Sequence, residues 1–506
     1  MRLSAVEQSF WLQTASFDSF DPLETDLRVD TVVVGSGITG LSTALFLKWA
    51  GMRVAVIDRN QMRGGMSVKH DGSLSLLTDI PYSTIIRRIG LAKTRRLVKG
   101  LYAAQERIEG VIRELSIHCS FMRFPDYHLA SGRGDARQLE QQRQIAEDIG
   151  IDVRFVCDTH HPVKNMGGIV VDNQPMFNPA HYIHALVSSV AGQGSIVHAH
   201  TPAIDIHDGS PARVVTKERE IWADNIVLAT NTPPGINILQ TLVEPQLSYL
   251  MAAKLYGELP RGLFNVVQED TTIRFRYEQQ GENQLLVFHG YEHATGKGDP
   301  VVAAQKLETF VREHFNISEV MARWRAESFR SLDTLPFIGQ APRSKHVWVA
   351  SGLGKDTPLW GTFAAMIISD GVLGRNNPYA DLVDAHRIPI PHFNTITKKN
   401  VDYAKTAIVD RFRQSRNQEN NLDCGQGAVI HEYNRDLAVY RDEEGTFHRF
   451  EAFCPHMRCK VGWNAVEKTW DCPCHGSRFD AFGRPLEGPA VKGLKSFRVH
   501  PIDYPH

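Results

Sequence analysis

Four residues near the C-terminal end of the 506-residue chain carry the clearest chemistry. Cys454 and His456 form a C-x-H pair within C-P-H-M-R-C, and Cys472 and His475 form a C-x-x-H pair within C-P-C-H-G-S. Two thiolates and two imidazoles suit a two-iron, two-sulfide cluster in which one iron takes both sulfurs and the other both rings. Neutral imidazoles leave less negative charge on such a cluster than four thiolates would, which raises its potential. Tetrahedral zinc is the alternative, since it also takes Cys and His at short spacing. Zinc fingers and ribbons usually set their ligands as C-x-x-C pairs, whereas each pair here is one Cys and one His.

Short strands must bring the two pairs together. Asp436 to Phe450 reads as a hairpin turning at Glu444 and Gly445, just ahead of the first ligand loop.

A second constellation lies near the start, in D-T-V-V-V-G-S-G-I-T-G-L-S-T-A-L-F-L-K-W-A-G-M-R-V-A-V-I-D-R. Thr31 to Val34 is a buried-strand run, Leu41 to Trp49 a helix, and Arg53 to Ile57 a second strand ending at Asp58. Gly35, Gly37 and Gly40 supply the tight turn, the close approach to a pyrophosphate and the helix-to-strand packing. Ser36, Ile38 and Thr39 lie in the same phosphate-facing turn. The helix N-terminus presents unpaired N–H groups to phosphate, and Asp58, with Arg59 beside it, is placed for ribose hydroxyls. Dinucleotide binding follows. No second strand-linked G-x-G-x-x-G suggests a nicotinamide site, so electrons are expected from an organic donor.

Two later segments choose the dinucleotide. Trp222 to Asn231 is a strand ending in small residues, and Val347 to Gly354 is a strand running into a glycine turn. Over about its first 375 residues the chain resembles flavoproteins of the D-amino-acid oxidase and glycine oxidase superfamily, and within them the members fused to a C-terminal Rieske domain. The matching runs are Gly35 to Leu47, Asn173 to Leu186, Asp333 to Gly339 and Gly352 to Thr362. The resemblance implies FAD, with Met66, Ser67, Ala203, Ala229, Thr230, Gly352, Gly354 and Lys355 joining the glycine turn in holding it. Where relatives carry a threonine-rich T-T-G-H-L segment, this chain has S-V-K-H-D-G-S-L (Ser67 to Leu74), which leaves the pocket's substrate open. His70 is the nearest residue for a covalent flavin link, by analogy with some relatives.

The ligand stretch is similar to Rieske proteins of respiratory complexes, with Gly476 and Ser477 following His475 as they do there. That similarity implies a Rieske-type 2Fe-2S cluster and a disulfide between Cys459 and Cys474. It also implies a Ser477 hydroxyl donating to a bridging sulfide. Phe479 stands where those proteins usually have Tyr, so one sulfur hydrogen bond should be missing and the potential lower. Only 31 residues follow His475, too few for the catalytic domain of a Rieske oxygenase α subunit.

The implied fold class is α/β: a Rossmann-like FAD-binding domain with a mixed β-sheet substrate domain, plus a small all-β Rieske domain. Residues 1–28 are expected as a surface arm, although Phe10, Trp11, Phe17 and Phe20 also allow a lid. Residues 29–375 form the oxidoreductase, with FAD-binding parts 29–90, 160–235 and 325–375 and substrate or cap parts 91–159 and 236–324. Residues 376–424 form a helical linker, charged from Asn400 to Arg416, and 425–506 the Rieske domain. Ser83 to Leu115 carries helical spacing, as does Pro179 to Val190, while Ile196 to Ala203 reads as a strand. Tyr249 to Leu255, Ile273 to Tyr277 and Leu285 to Gly290 alternate as strands of a sheet roofing the flavin.

A net charge of -1 leaves no nucleic-acid footprint. Cys119, Cys157 and Cys424 show no motif spacing and read as ordinary thiols. No apolar run reaches a membrane span and no leader pattern opens the chain, so a cytoplasmic location is expected. A reducing compartment disfavours disulfides; shielding by the ligand loops would protect Cys459–Cys474.

The candidate catalytic residues are Lys355, His289, Tyr249 and Trp360. Lys355 and a helix beginning near Thr362 would favour negative charge on the flavin pyrimidine. Trp360 is either a pocket wall or core, and His289, His293, Tyr249 and Tyr277 fall on the roof sheet. The expected function is oxidation of an amine or amino acid by FAD, with single electrons passing to the Rieske cluster and an external acceptor. An oxygen-using oxidase with a structural or docking Rieske domain, and an electron-transfer component for a partner enzyme, are the alternatives. Whether the cluster is served within one chain or across a homodimer stays open.

Overall fold

The computed structural model describes residues 9–157, 162–235, 238–268, 271–281, 283–296, 299–387, 421–432 and 435–497. The expected helix over Asn400 to Arg416 lies outside them.

The first sheet runs in the order Phe337–Gln340, Val347–Ser351, Glu220–Leu228, Leu27–Val34, Val54–Ile57, Ile196–His198. Its centre is parallel, with Val33 paired to Val56 on one side and Val227 on the other. Both faces are covered, so these strands read as unbroken apolar runs rather than alternating ones. The helix Ile38–Trp49 packs between this sheet and the helices Pro179–Val190 and Thr357–Val372. Gly40 makes that approach possible: a Cβ there would lie 2.0 Å from the Gly35 carbonyl oxygen.

The second sheet has eight strands, in the order Ile317–Ser331, Val243–Leu255, Asn283–Ala294, Thr271–Gln280, Leu263–Gln268, Met122–Ala130, Gly168–Met176, Arg154–Val156. It is antiparallel except where Leu263–Gln268 runs parallel to Met122–Ala130. The C-terminal part is all-β, a three-stranded sheet (Gly427–Glu432, Arg435–Arg441, Phe447–Glu451) followed by a four-stranded one (Gly462–Asn464, Thr469–Asp471, Arg478–Asp480, Pro485–Glu487). The hairpin turning at Glu444 and Gly445 is present, with Val439 opposite Arg449.

Four expectations about elements need correction. The segment around Phe10 and Trp11 is not a surface arm: both rings are buried in a short helix, Phe10–Thr14, and Trp11 Nε1 donates to the His70 carbonyl at 2.8 Å. Hydrophobic area outweighed the polar flanks. The helical stretch after Ser83 is two helices, Tyr82–Ile89 and Leu91–Glu114, parted at Gly90, where φ is +82°. The strand at Ile196 ends at His198, because His200 takes a positive φ of 49°. The helix expected near Thr362 begins at Thr357, with Pro358 in its first turn, where a missing N–H costs nothing.

Candidate functional site

The dinucleotide groove opens at the end of Leu27–Val34. Gly35 has φ +110°, and a Cβ on it would sit 2.6 Å from the Ala229 carbonyl oxygen, so the crossing backbone leaves room only for glycine. Ser36 donates from both its backbone N and its Oγ to Asp58 Oδ2, each at 2.8 Å, and Asp58 Oδ1 accepts from Asn60 N at 2.9 Å. Asp58 therefore braces the glycine turn as well as edging the groove. Ser67 Oγ accepts from Ile38 N at 2.9 Å, tying the Gly64–Ser67 turn to the helix start.

Ser36, Gly37, Ile38, Thr39, Asp58, Arg59, Met66, Ser67, Ala203, Ala229 and Thr230 all line this groove, as read from the sequence. Thr232 Oγ1 and Glu327 Oε1 also face it, buried and without a hydrogen-bond partner. Orphaned polar atoms beside a groove whose first turn, at Gly35, has no room for a Cβ suit a bound dinucleotide. Burial, and then the negative charge of Glu487, hold the Glu327 carboxyl well above its ordinary range.

The cluster site is equally preformed. Cys454 N donates to the Cys459 carbonyl at 2.8 Å and Cys472 N to the Ser477 carbonyl at 2.8 Å, so each ligand loop is closed by its own backbone. The His456 and His475 rings lie 5.0 Å apart, and the Nδ1 atom of each is buried and bonded to nothing. Two orphaned imidazole nitrogens beside the buried Cys454 and Cys472 sulfurs fit a 2Fe-2S cluster. Cys459 and Cys474 are joined by a disulfide that clips the two loops together.

The C-terminal domain is docked against both other parts. Arg325, 3 % exposed, is paired with Glu467 and with Glu487 at 2.7 Å. Lys69 meets Glu487 at 2.7 Å, and Arg478 meets Asp471, Glu467 and Glu487. A Cβ on Gly296 would lie 2.8 Å from Pro473, between the two ligands of the second loop. As a result Leu486, Glu487 and Gly488 complete the wall of the dinucleotide groove. Sequence reasoning missed these three residues, because no local pattern announces a contact that spans the chain.

A separate cavity of about 200 Å³ lies under the second sheet. Asp79, Arg274, His289, Glu292 and Lys355 face it. Arg274 donates to Asn265 Oδ1 at 2.9 Å and Asp356 Oδ1 at 3.1 Å, and His289 Nε2 meets Ser248 Oγ at 2.8 Å. The turn from Gly352 to Thr357 separates cavity from groove, with Lys355 on the cavity side and Thr357 on the groove side. Asp79, Arg274 and Glu292 gave no signal in the sequence; sheet register brings Arg274 and Glu292 together, and a loop delivers Asp79.

Of the expected catalytic residues, His289 and Lys355 meet in the cavity, and Lys355 stands there rather than in the FAD groove. Tyr249 does not join them. It points to the opposite face of the sheet from Leu250 and His289, stacked on His293 in the apolar layer, where burial raises its hydroxyl far above the usual range. Tyr277 shares that layer. Trp360 is core, 1 % exposed and edge-on to Phe363. Gly40, Gly352 and Gly354 shape backbone rather than face the groove: Gly352 and Gly354 hold φ values of +74° and +67°, and a Cβ on Gly354 would sit 3.4 Å from the Asp79 carboxylate. His70 is buried with neither ring nitrogen bonded, 6.4 Å from the His289 ring, and burial lowers it to about 4.

Comparison with known proteins agrees with both sites. Residues 30–370 match the FAD dependent oxidoreductase (DAO) family and residues 414–498 the Rieske [2Fe-2S] domain. The chain is 28 % identical to the Rieske 2Fe-2S iron-sulfur protein YhfW of Bacillus subtilis, over 96 % of this chain and 97 % of that protein. It is 23 % identical to the gamma-glutamylputrescine oxidoreductase of Escherichia coli, over 66 % of this chain and 81 % of that one. The glycine oxidase structure from Geobacillus kaustophilus superposes with a TM-score of 0.59 at 17 % identity, covering 72 % of this chain and all of that one. Among the described residues no helix is long and apolar enough to cross a membrane. A glycine-turn groove, a preformed Cys/His site and these matches together place the chain in the FAD dependent oxidoreductase (DAO) family, as a member that carries a C-terminal Rieske 2Fe-2S domain.

Proposed function

We propose that this protein oxidises the C–N bond of an amine or amino acid, the electron pair going to FAD and leaving singly through the Rieske cluster to an external acceptor. FAD supplies hydride acceptance and the exchange of two-electron for one-electron chemistry. The chain's own residues do the rest. The buried network around Arg274, Asp71 and Asp356 fixes the cavity wall, and the helix N-terminus at Thr357 faces the groove.

The observation that carries this reading is the abutment of both Cys/His loops on the groove wall, through His456 in the first and Gly476 in the second. His456 Nε2 donates to the Gly235 carbonyl at 3.0 Å, and Pro234 lines the groove. Gly476, next to His475, leaves its Cβ position 3.0 Å from Phe329 and 2.9 Å from Glu327, both groove residues. A Rieske domain serving only as a docking module would need no such contact.

Anaerobic stopped-flow absorbance tests this. Flavin bleaching by an amine or amino acid, followed by cluster bleaching, is the expected result. A cluster that stays oxidised beside reduced flavin refutes the route, and stoichiometric hydrogen peroxide in air would favour an oxidase.

A further inference from the structure

The charges around the cavity narrow the substrate class, on the reading above that this cavity holds the reducing substrate. Each cation here already lies beside a carboxylate. Arg274 is held by Asp71 and Asp356, Arg330 by Glu292 at 2.9 Å, and the Lys355 ammonium lies 4.0 Å from Glu292. His289 sits between Ser248 and Asp71. Asp79 is different. Its side chain is 2 % exposed, Oδ2 is 3.5 Å from Arg330, and Oδ1 is buried with no hydrogen-bond partner.

A buried carboxylate oxygen without a donor is costly, and the cost is relieved when a ligand brings the donor. The groups facing Asp79 come from three elements: Lys355 and Asp356 on the glycine turn, Arg330 on Ile317–Ser331, and Glu292 on Asn283–Ala294. Burial and then the Asp356 charge push the Asp79 carboxyl up to about 6. Asp356 accepts from the Asp79 backbone N–H at 2.8 Å, so the two carboxylates are fixed close together. A substrate carboxylate entering here would have to draw a cation away from its carboxylate partner. A substrate ammonium would supply the donor that Asp79 Oδ1 lacks.

We propose that the cavity selects a cationic amine with no carboxylate beside the amino group, and that Asp79 is the residue holding its ammonium. The selectivity belongs to charge matching rather than shape, because the cavity volume would admit either class.

Calorimetric titration of the FAD-loaded full chain with n-butylamine and with norvaline, the same amine bearing a carboxylate, tests this independently of turnover. Butylamine should bind at least about ten-fold more tightly, and D79N should lose that preference. Below pH about 6 the wild-type affinity for butylamine should fall about ten-fold per unit, as Asp79 takes up a proton, and D79N should show no such limb. K355M, which removes one of the two cations facing Asp79, should tighten butylamine and so tests the idea even if D79N does not fold. Tighter binding of norvaline, unchanged binding in D79N, or no binding of either ligand overturns the assignment. Butylamine that binds as described yet bleaches no flavin would instead overturn the proposed oxidation.

Discussion

His456 donates from Nε2 to the carbonyl oxygen of Gly235 at 3.0 Å, which sets a candidate cluster ligand one residue away from Pro234 on the wall of the dinucleotide groove. The contact joins residues 221 positions apart in one chain. Cluster reduction after flavin reduction should therefore be first order and independent of protein concentration, as stopped-flow traces at several dilutions would show. A rate that rises with concentration would mean that electrons cross between chains.

Glu487 ties the C-terminal domain to the dinucleotide groove, since it lines the groove while pairing with Lys69, Arg325 and Arg478. Breaking one partner out of a buried ion network costs about 3–5 kcal/mol. E487A should accordingly release FAD at least about ten-fold faster on dilution, followed by flavin fluorescence, while iron and labile sulfide stay at wild-type levels. Its cationic partners, Arg325 foremost, hold Glu487 at about 2, below the ordinary 4.5. Its contribution is thus complete above pH 4.5 and fades as pH falls towards 2, so wild-type FAD release should quicken across that window and E487A should not respond.

The Rieske potential should sit low in the range of roughly -150 to +300 mV known for such centres. Ser477 is fully buried with its hydroxyl towards Cys454, whereas Phe479 is buried in the domain core and has no hydroxyl to offer. Redox titration followed by electron paramagnetic resonance should show F479Y raising the midpoint and S477A lowering it. A wild-type value at the top of the range would contradict the argument.

His70 is kept neutral by burial and bonded to nothing through either ring nitrogen. We expect FAD to be held without a covalent bond, so acid precipitation should leave all the flavin in the supernatant. Flavin that stays with the pellet, and is lost in H70A, would place the link there.

Legibility followed the range of the interactions. The Cys/His pairs and the glycine turn could be read because their partners lie within a few residues, so spacing alone fixes the geometry. Ser36, Gly37, Ile38, Thr39, Asp58 and Arg59, read from the glycine turn and the strand after it, line the groove because strand, turn and helix leave the backbone little choice; Met66, Ser67, Ala203, Ala229 and Thr230 came through the resemblance to flavoproteins and line it too. The Cys459–Cys474 bond came through likeness to Rieske proteins, and the fold forms it.

Tyr249 and Trp360 show the limit. Alternation in a strand says that Tyr249 and Leu250 point to opposite faces, but not which face is the roof; pairing with Asn283–Ala294 and Ile317–Ser331 decides that. Trp360 sits in a helix apolar on nearly every side, which gives no phase to read. Trp11 lay in a polar stretch, and long-range contacts with His70, Trp324 and Arg276 buried it.

The sequence by itself determined which cofactors the chain can hold, because metal ligation and phosphate cradling are built from neighbouring residues. Tertiary structure alone decided what surrounds them: the carboxylates and cations of the cavity, and the seating of Glu487 against the groove. Those contacts join positions up to 418 residues apart, and charge balance in a buried space depends on which distant groups the register delivers.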